Sequence, residues 1–211
     1  LSEPYADQKS ILKKGEGAEI GLVLDRSASM DDPFVGDDTN KSAGETKSPA
    51  ARRLIVDFFD SRTDDMVGVI TFSNSAMFIL PLTNSKEAIR AAVNATAGNA
   101  LFQTNIGAGL TSSAELFTSI ENSGSRAVSL LSDGAGRIDA ITQQKIKAWF
   151  DKYQIGLYWI VLSKPGGISI FEEDVPLHQG YQLPPQIELY EFFKTFKSPF
   201  QAYEAEDPKS L

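Results

Sequence analysis

An apolar run that ends in an acid constrains the fold of this chain more than any other feature. Residues 20–24 read Ile-Gly-Leu-Val-Leu, and Asp25, Ser27 and Ser29 follow at every second position. A strand that is buried in a parallel sheet is typically such a near-continuous apolar run. In open α/β sheets, ligands bind outside the carboxyl ends of the strands, where Asp25 would lie. The stretch therefore predicts a central strand that leads into a polar site.

The three polar side chains after this strand predict a cation site. Residues at positions i, i+2 and i+4 of an extended segment point to the same side, so Asp25, Ser27 and Ser29 are expected to converge. They offer oxygen atoms and no nitrogen or sulfur. Oxygen-only ligation suits a hard divalent cation, with Mg²⁺ as the expected ion and Ca²⁺ or Mn²⁺ as alternatives.

The composition of the chain argues against several classes of function. The net charge of −8 argues against nucleic acid or anionic lipid as a partner. The chain has no cysteine, which excludes disulfides and thiolate metal sites, and its single histidine, His178, leaves little material for zinc catalysis or a histidine-based triad. At 211 residues the chain fits one decorated α/β domain.

The ends of the chain suggest a piece of a longer protein. The sequence starts Leu-Ser-Glu-Pro without an initiator Met, and it has neither a signal peptide nor an apolar run long enough to span a membrane.

Buried strands alternate with helical patterns along most of the chain. Strands are expected at 19–24, 65–72, 76–80, 126–132 and 154–162, and helices at 49–60, 85–94, 104–120, 140–153 and 186–196. This alternation implies βαβ units and a mainly parallel sheet. The short turn at 73–75 predicts that 76–80 is an antiparallel edge strand.

Four further segments complete the predicted organisation. Residues 1–18 form a leading segment, and 19–211 a single domain. Residues 31–48 are a polar insertion beside the metal loop, after which Ser48 and Pro49 predict a helix N-cap and first position. Residues 168–211 form a covering segment, which ends in a possible edge strand at 200–203. The aromatic stripe of its helix fits either a partner-binding face or a helix that covers the sheet.

Two more polar junctions complete the predicted metal site. Thr104 lies at the start of a predicted helix, and Asp133 follows the strand at 126–132. Each could reach the carboxyl edge of the sheet beside Asp25, Ser27 and Ser29. Each of the five residues alone could be an ordinary cap or turn residue. Together they offer two carboxylates and three hydroxyls to one cation.

This pattern resembles the metal-ion-dependent adhesion site of the von Willebrand factor A (VWA) family. Asp25, Ser27 and Ser29 match the family's Asp-x-Ser-x-Ser loop, Thr104 its threonine and Asp133 its second aspartate. The resemblance implies a Rossmann-like doubly wound, mostly parallel sheet with helices on both faces. It also implies a binding role, in which a partner protein donates a Glu or Asp to the metal. Ala28 departs from the glycine that is usual in this loop, and glycine is the residue that adopts positive φ freely.

Within the family, the chain looks like bacterial membrane-anchored members. The residues at 81–83 and the ending from 188–193 to 205–207 carry this likeness. The Leu-Asp-Arg-Ser run at 24–27 is similar to the MxaC type. Such members, which include Bat proteins, accompany MoxR-type AAA+ ATPases. The resemblance implies a periplasmic domain of an inner-membrane protein, with membrane helices on both sides of this segment. It also implies that the protein helps to mature, or load metal into, an enzyme such as methanol dehydrogenase.

The best enzyme alternative is a Mg²⁺-dependent phosphohydrolase of the haloacid-dehalogenase type, with Asp25 as nucleophile. That chemistry needs a second Asp two positions later as general acid, and this chain has Ser27 there. A hydroxyl whose pKa lies far above 7 cannot replace a carboxyl in that role. The sequence therefore predicts a binding module and not an enzyme.

Overall fold

The protein folds around one six-stranded sheet in a computed structural model, which describes residues 17–34, 45–98, 102–118, 124–163, 166–172 and 182–205. The strands are β1 (Glu19–Asp25), β2 (Met66–Phe72), β3 (Ala76–Thr83), β4 (Arg126–Ser132), β5 (Ile155–Leu162) and β6 (Phe200–Ala205). Their order in the sheet is β3-β2-β1-β4-β5-β6. Every pairing is parallel except that of β2 with β3, which is antiparallel. The predicted mostly parallel sheet with one antiparallel edge strand is confirmed.

Helices cover both faces of the sheet. Those in the described part of the chain are α1 (Lys47–Asp60), α2 (Lys86–Ala95), α3 (Ile106–Glu115), α4 (Ala140–Tyr153) and α5 (Pro185–Phe193). Buried side chains of α1 and α2 belong to one hydrophobic core, and those of α3, α4 and α5 to the other. The predicted α/β class with helices on both faces is therefore also confirmed.

Strand β1 is the central element, and it is buried along its whole length. Ile20 and Leu22 pack into the core beneath α1 and α2, whereas Val23 packs into the core on the opposite face. The chain moves outward from β1 to β2 and later returns to β4 on the other side of β1. The strand order thus reverses beside β1, and such a reversal opens a ligand-binding crevice at the carboxyl ends of the two strands.

Helix α1 begins earlier than the local signals predict. Lys47 is its first residue and Thr46 precedes it, so the prediction of Ser48 as N-cap and Pro49 as first position is wrong. An isolated antiparallel bridge between Pro33 and Thr46 holds the incoming chain against the loop that follows β1. This contact between distant residues starts the helix, and a local capping pattern cannot reveal it.

Other boundaries differ by a few residues. Strand β3 extends to Thr83, α3 is helical only from Ile106 to Glu115, and α5 ends at Phe193, after which the chain turns. The predicted edge strand near the C-terminus forms as β6 and pairs with β5 in the parallel direction.

The aromatic stripe of α5 covers the sheet. Ile187, Leu189 and Phe193 are buried, and the Phe193 ring contacts the Trp159 ring of β5 edge-to-face at 5.4 Å between centroids. The interpretation as a covering helix therefore holds for this face of α5.

Some predictions lie outside the described residues, among them the leading segment up to residue 16, the insertion at 35–44 and the position of His178. Within the described ranges, no helix combines the length and the apolar character needed to cross a bilayer.

Gly109 marks a close approach of α3 to the sheet and yields a test of the packing. A Cβ at this position would lie 2.7 Å from Phe72 Cδ1 and 3.1 Å from Val23 Cγ1. We expect Gly109→Ala to lower the free energy of unfolding by about 1–3 kcal/mol through overpacking, although Gly→Ala in an unobstructed helix stabilises by up to about 1 kcal/mol. Urea denaturation measures this change.

Ser112→Ala, in the same helix, is the control for Gly109→Ala. We expect it to change the free energy of unfolding by no more than about 0.5 kcal/mol, as is usual for substitutions away from tight packing. A Gly109→Ala protein that is as stable as the wild type would contradict the close packing of α3 on the sheet.

Candidate metal centre

The Asp25 carboxylate is fixed at the end of β1 by two hydrogen bonds. Asp25 is only 3% exposed. The Ser27 backbone N–H donates to Asp25 Oδ1 at 2.8 Å, and the Ser132 hydroxyl donates to Asp25 Oδ2 at 2.6 Å. One bond comes from the loop that follows β1 and the other from the neighbouring strand β4. The carboxylate is therefore oriented by two separate parts of the fold.

The serines of the loop converge through a turn and not through an extended segment. Residues Ala28–Asp31 form one turn of 3₁₀ helix, so the predicted alternation along an extended chain is wrong for this part. The Ser27 and Ser29 hydroxyl oxygens nevertheless lie 3.2 Å apart. Met30 is buried and its N–H donates to the Ser27 carbonyl, which anchors the turn. The loop thus presents two adjacent hydroxyls beside Asp25.

Ala28 fits this turn without backbone strain. Gln154 is the only non-glycine residue with positive φ in the described part of the chain. Ala28 therefore has negative φ, which an alanine adopts freely. The alanine in place of the usual glycine therefore requires no strained backbone in this loop.

Asp133 lies directly after β4 and has a partner at each carboxylate oxygen. The Ala135 N–H donates to Asp133 Oδ1 at 3.2 Å, and the Lys47 ammonium donates to Asp133 Oδ2 at 3.1 Å. Gly134 follows with φ of +74°, and a Cβ there would lie 2.8 Å from the Trp159 ring. The glycine therefore allows the chain to turn sharply behind Asp133 while remaining packed on the sheet.

Ser132 links the two acidic segments and was not among the predicted site residues. Its hydroxyl donates to Asp25 and also accepts from the Gly134 N–H at 3.0 Å. A serine at the carboxyl end of a buried strand, next to an Asp-Gly pair, was the available signal. Lys47 was also missed, because it lies within the stretch assigned to a polar insertion.

Thr104 lies at the same edge of the sheet, just before α3. The next residue, Asn105, caps α3 by accepting from the Ala108 N–H at 3.0 Å, and its own N–H donates to the Ser73 carbonyl at 2.6 Å. A Cβ on Gly136 would lie 2.5 Å from the Thr104 carbonyl oxygen, so Thr104 packs against the loop that carries Asp133. The half-buried Thr104 is thereby placed beside the acidic segments.

Burial raises the pKa of Asp25 from 3.8 to about 6. The hydrogen bonds from Ser132 and Ser27 favour the ionised form and limit this rise, whereas the nearby negative charge of Asp133 adds to it. An ionised Asp25 is therefore costly while no metal ion is bound, because the Lys47 ammonium lies at Asp133 and not at Asp25. A divalent ion would offset that cost by supplying the missing positive charge.

The donors at this edge fit a hard cation. The described residues contain no group of three or more His, Cys, Asp or Glu side chains that could hold a metal. A cation at this site would instead rely on the carboxylates of Asp25 and Asp133 together with the hydroxyls of Ser27, Ser29 and Thr104. Such an all-oxygen set, in which most donors are neutral, suits Mg²⁺ with several retained waters.

The raised pKa of Asp25 predicts how stability depends on pH in EDTA. An acid whose pKa is higher in the folded chain stabilises the fold only while it is protonated, so its contribution falls as pH rises from about 4 to about 6. Above pH 6, this rise in the pKa of Asp25 corresponds to a loss of at most about 3 kcal/mol in the free energy of unfolding. Asn at this position retains both hydrogen-bond partners without the charge. We expect Asp25→Asn to be more stable than the wild type by about 1–3 kcal/mol at pH 7.5.

Urea denaturation of both proteins in EDTA at pH 7.5 and pH 4.5 measures this difference. It should shrink toward zero at pH 4.5, where Asp25 is largely protonated in the wild type. A stability difference between the two proteins that is the same at both pH values would show that ionisation of Asp25 does not destabilise the fold.

Solved structures of known proteins share this fold. An aerotolerance-related membrane protein from Bacteroides fragilis aligns with a TM-score of 0.65 and 20% identity, over 92% of this chain and 95% of that one. The conserved hypothetical protein BatB from Bacteroides thetaiotaomicron aligns with a TM-score of 0.63 and 20% identity, over 89% and 91%. Proximal thread matrix protein 1 of the mussel byssus, whose metal-ion-dependent adhesion site (MIDAS) motif is zinc-occupied, aligns with a TM-score of 0.64 and 18% identity. The alignment covers 95% of this chain and 44% of that one.

One curated relative and one family model match the sequence itself. An uncharacterized protein of Borreliella burgdorferi is 26% identical over 87 residues, which are 41% of this chain and about a quarter (24%) of that protein. The family model of the von Willebrand factor type A domain matches residues 20–135, from β1 through the loop that carries Asp133. This match spans more than half of the chain, and the chain belongs to the von Willebrand factor type A domain family.

Proposed function

We propose that this chain is a protein-binding module whose partner contact depends on a divalent metal ion. The observation that carries this proposal is the arrangement at the carboxyl ends of β1 and β4. There a buried Asp25 carboxylate, hydrogen-bonded by Ser27 and Ser132, lies beside a pair of serine hydroxyls and near Asp133.

Five residues would hold the ion in this proposal: Asp25, Ser27, Ser29, Thr104 and Asp133. Mg²⁺ is the proposed ion, because the donors are all oxygen. Mg²⁺ takes six oxygen ligands and usually keeps several waters, so some of the five residues would hold it through a retained water. Ca²⁺ and Mn²⁺ are the alternatives. Zinc belongs in the same binding test, since the MIDAS motif of the mussel protein is zinc-occupied.

A carboxylate of another protein is the proposed sixth component of the site. Neutral hydroxyls donate electrons weakly, so the cation would keep much of its charge for an incoming anionic group. Phe102 and Ile141, near the N-terminal ends of α3 and α4, are 98% and 80% exposed. In this proposal these two exposed side chains are available for contact with the partner.

The role of the whole protein is a further part of the proposal. We propose a membrane-anchored bacterial protein with this domain on the periplasmic side. The likeness of the fold to an aerotolerance-related membrane protein supports the membrane association. We propose that it acts with a MoxR-type AAA+ ATPase in the maturation or metal loading of a periplasmic enzyme such as methanol dehydrogenase. This part rests on the resemblance of short sequence runs to the MxaC type.

A phosphohydrolase is the weaker alternative. Asp25 does follow a buried first strand, as the nucleophile of such an enzyme would. The position two residues later holds Ser27, whose hydroxyl contacts Ser29. Its high pKa makes this hydroxyl a poor general acid, and VWA domains are generally interaction modules without catalytic activity.

Metal binding should raise the thermal stability of the wild-type chain. A ligand at one hundred times its dissociation constant stabilises the folded state by about 2.7 kcal/mol, which corresponds to a Tm rise of roughly 5–10 °C for a domain of this size. We expect this rise with Mg²⁺ relative to EDTA, and its loss in Asp25→Asn and Asp133→Asn. Differential scanning fluorimetry, followed by calorimetric titration, measures it.

Asp57→Asn is the matched control for this experiment. Asp57 is an exposed acid on α1, so its replacement changes the net charge by the same amount without touching the site. The Asp57→Asn protein should respond to Mg²⁺ as the wild type does. A wild type that binds none of Mg²⁺, Ca²⁺, Mn²⁺ or Zn²⁺ would remove the basis of the proposed function.

Partner capture should depend on the metal and on Asp133. We expect the wild-type chain, immobilised in Mg²⁺, to retain a partner from a membrane extract of the source organism and to release it in EDTA. The Asp133→Asn bait should not retain that partner, whereas the Asp57→Asn bait should. Mass spectrometry identifies the captured protein, and capture that is equal in EDTA and in Mg²⁺ would contradict a metal-bridged contact.

A further inference from the structure

Lys47 is a buried cation at the candidate metal centre. Its side chain is 1% exposed, and its ammonium nitrogen lies 3.1 Å from Asp133 Oδ2, whose own side chain is 9% exposed. Lysine is almost never buried to this degree unless it is paired with an acid. The pair joins the first residue of α1, on one face of the sheet, to the loop that follows β4.

The backbone around Lys47 holds its side chain in this position. The Lys47 N–H donates to the Asp32 carbonyl at 3.3 Å, and the Phe34 N–H donates to the Glu45 carbonyl at 2.9 Å. The Phe34 side chain is 1% exposed and belongs to the core beneath α1. The chain before α1 is therefore fixed against the metal loop, and Lys47 has little freedom to leave the site.

Helix formation does not explain a lysine at this position. The N-terminus of a helix carries a partial positive charge, so a cation in the first turn is unfavourable. A buried ammonium also loses its hydration, and only a paired anion compensates for that loss. The Asp133 carboxylate supplies this anion, which makes the contact with Asp133 the main reason for the buried position of Lys47.

The charges around the site show what this contact does to metal binding. Two carboxylates, Asp25 and Asp133, and the Lys47 ammonium sum to −1 when the acids are ionised. A divalent ion brings the sum to +1, whereas the same site without Lys47 would be neutral. A metal ion that draws on Asp133 also weakens the contact with Asp133 that compensates the buried ammonium.

We propose that Lys47 is a built-in counter-cation of this site, which holds Asp133 in place when no metal is bound and lowers the affinity for divalent ions. The inference rests on the proposed function only in taking Asp25 and Asp133 as metal ligands. Lys47 is a positioning residue in the metal-free protein and a competitor for Asp133 in the loaded one.

Replacement of Lys47 separates the two effects. In Lys47→Met the unbranched side chain keeps much of its length and loses its charge. We expect the dissociation constant for Mg²⁺, measured by calorimetric titration, to fall at least about tenfold, because repulsion between close like charges is removed. In EDTA the same variant should have a lower Tm than the wild type, since Asp25 and Asp133 then repel each other without a compensating cation.

Lys86→Met is the matched control. Lys86 donates to the Asp60 carbonyl at the other end of α1, roughly 20 Å away by the rise of a 14-residue helix. Its loss changes the net charge equally and should leave the Mg²⁺ dissociation constant within about twofold of the wild type. Lys47→Arg, which keeps the charge, should remain within about threefold.

A Lys47→Met protein with unchanged or weaker Mg²⁺ binding would overturn the proposal. Weaker binding would mean that Lys47 orients Asp133 for the metal, and unchanged binding that the two do not communicate. If the wild type itself binds no divalent ion, the proposed function fails, and that result differs from failure of the Lys47 inference alone.

A measurement on the wild type keeps the test decisive if Lys47→Met does not fold. In protein labelled with ¹⁵N-lysine, the Lys47 ammonium signal should shift on addition of saturating Mg²⁺, whereas the Lys86 signal should not. Mg²⁺ binding with no change in the Lys47 signal would equally overturn the proposal.

Discussion

The site depends on one carboxylate that is withdrawn from water at the end of the central strand. Asp25 retains two hydrogen bonds, from the Ser27 N–H and the Ser132 hydroxyl, but burial still raises its pKa to about 6. Parallel pairing of β1 with β4 aligns Leu24 with Leu131, which brings the next residues, Asp25 and Ser132, side by side. The register of two strands thus fixes the orientation of the acid.

Both faces of the sheet contribute to this edge. Helix α3 and the loop after β4 bring Thr104 and Asp133 from one side, where Gly136 allows the two segments to touch. Helix α1, which packs on the opposite face, brings Lys47 to Asp133. The doubly wound topology therefore serves as more than a scaffold, because it delivers acids, hydroxyls and a compensating cation to one crevice.

Patterns with a strong local cause were predictable from the sequence. Strand β4 has its predicted bounds, because an apolar run between polar turns leaves little choice. Helix α4 has its predicted bounds, since the Asp139 carboxylate just before it accepts from the Ile141 and Thr142 N–H groups. The predicted start of α1 was wrong. The bridge between Pro33 and Thr46 joins two residues that are distant in the sequence, and no local signal encodes this bridge.

The sequence by itself determined the fold class and the oxygen donors of the candidate centre. The spacing of apolar residues, the turn residues and an acid at the end of a strand are all local properties of the chain. The tertiary structure decided how those donors are used. It turned the serine loop into a 3₁₀ helix, placed Ser132 on Asp25, and buried Lys47 against Asp133 across 86 positions of sequence. Burial and long-range pairing set the charge balance of a site, and neither is a property of any short stretch of residues.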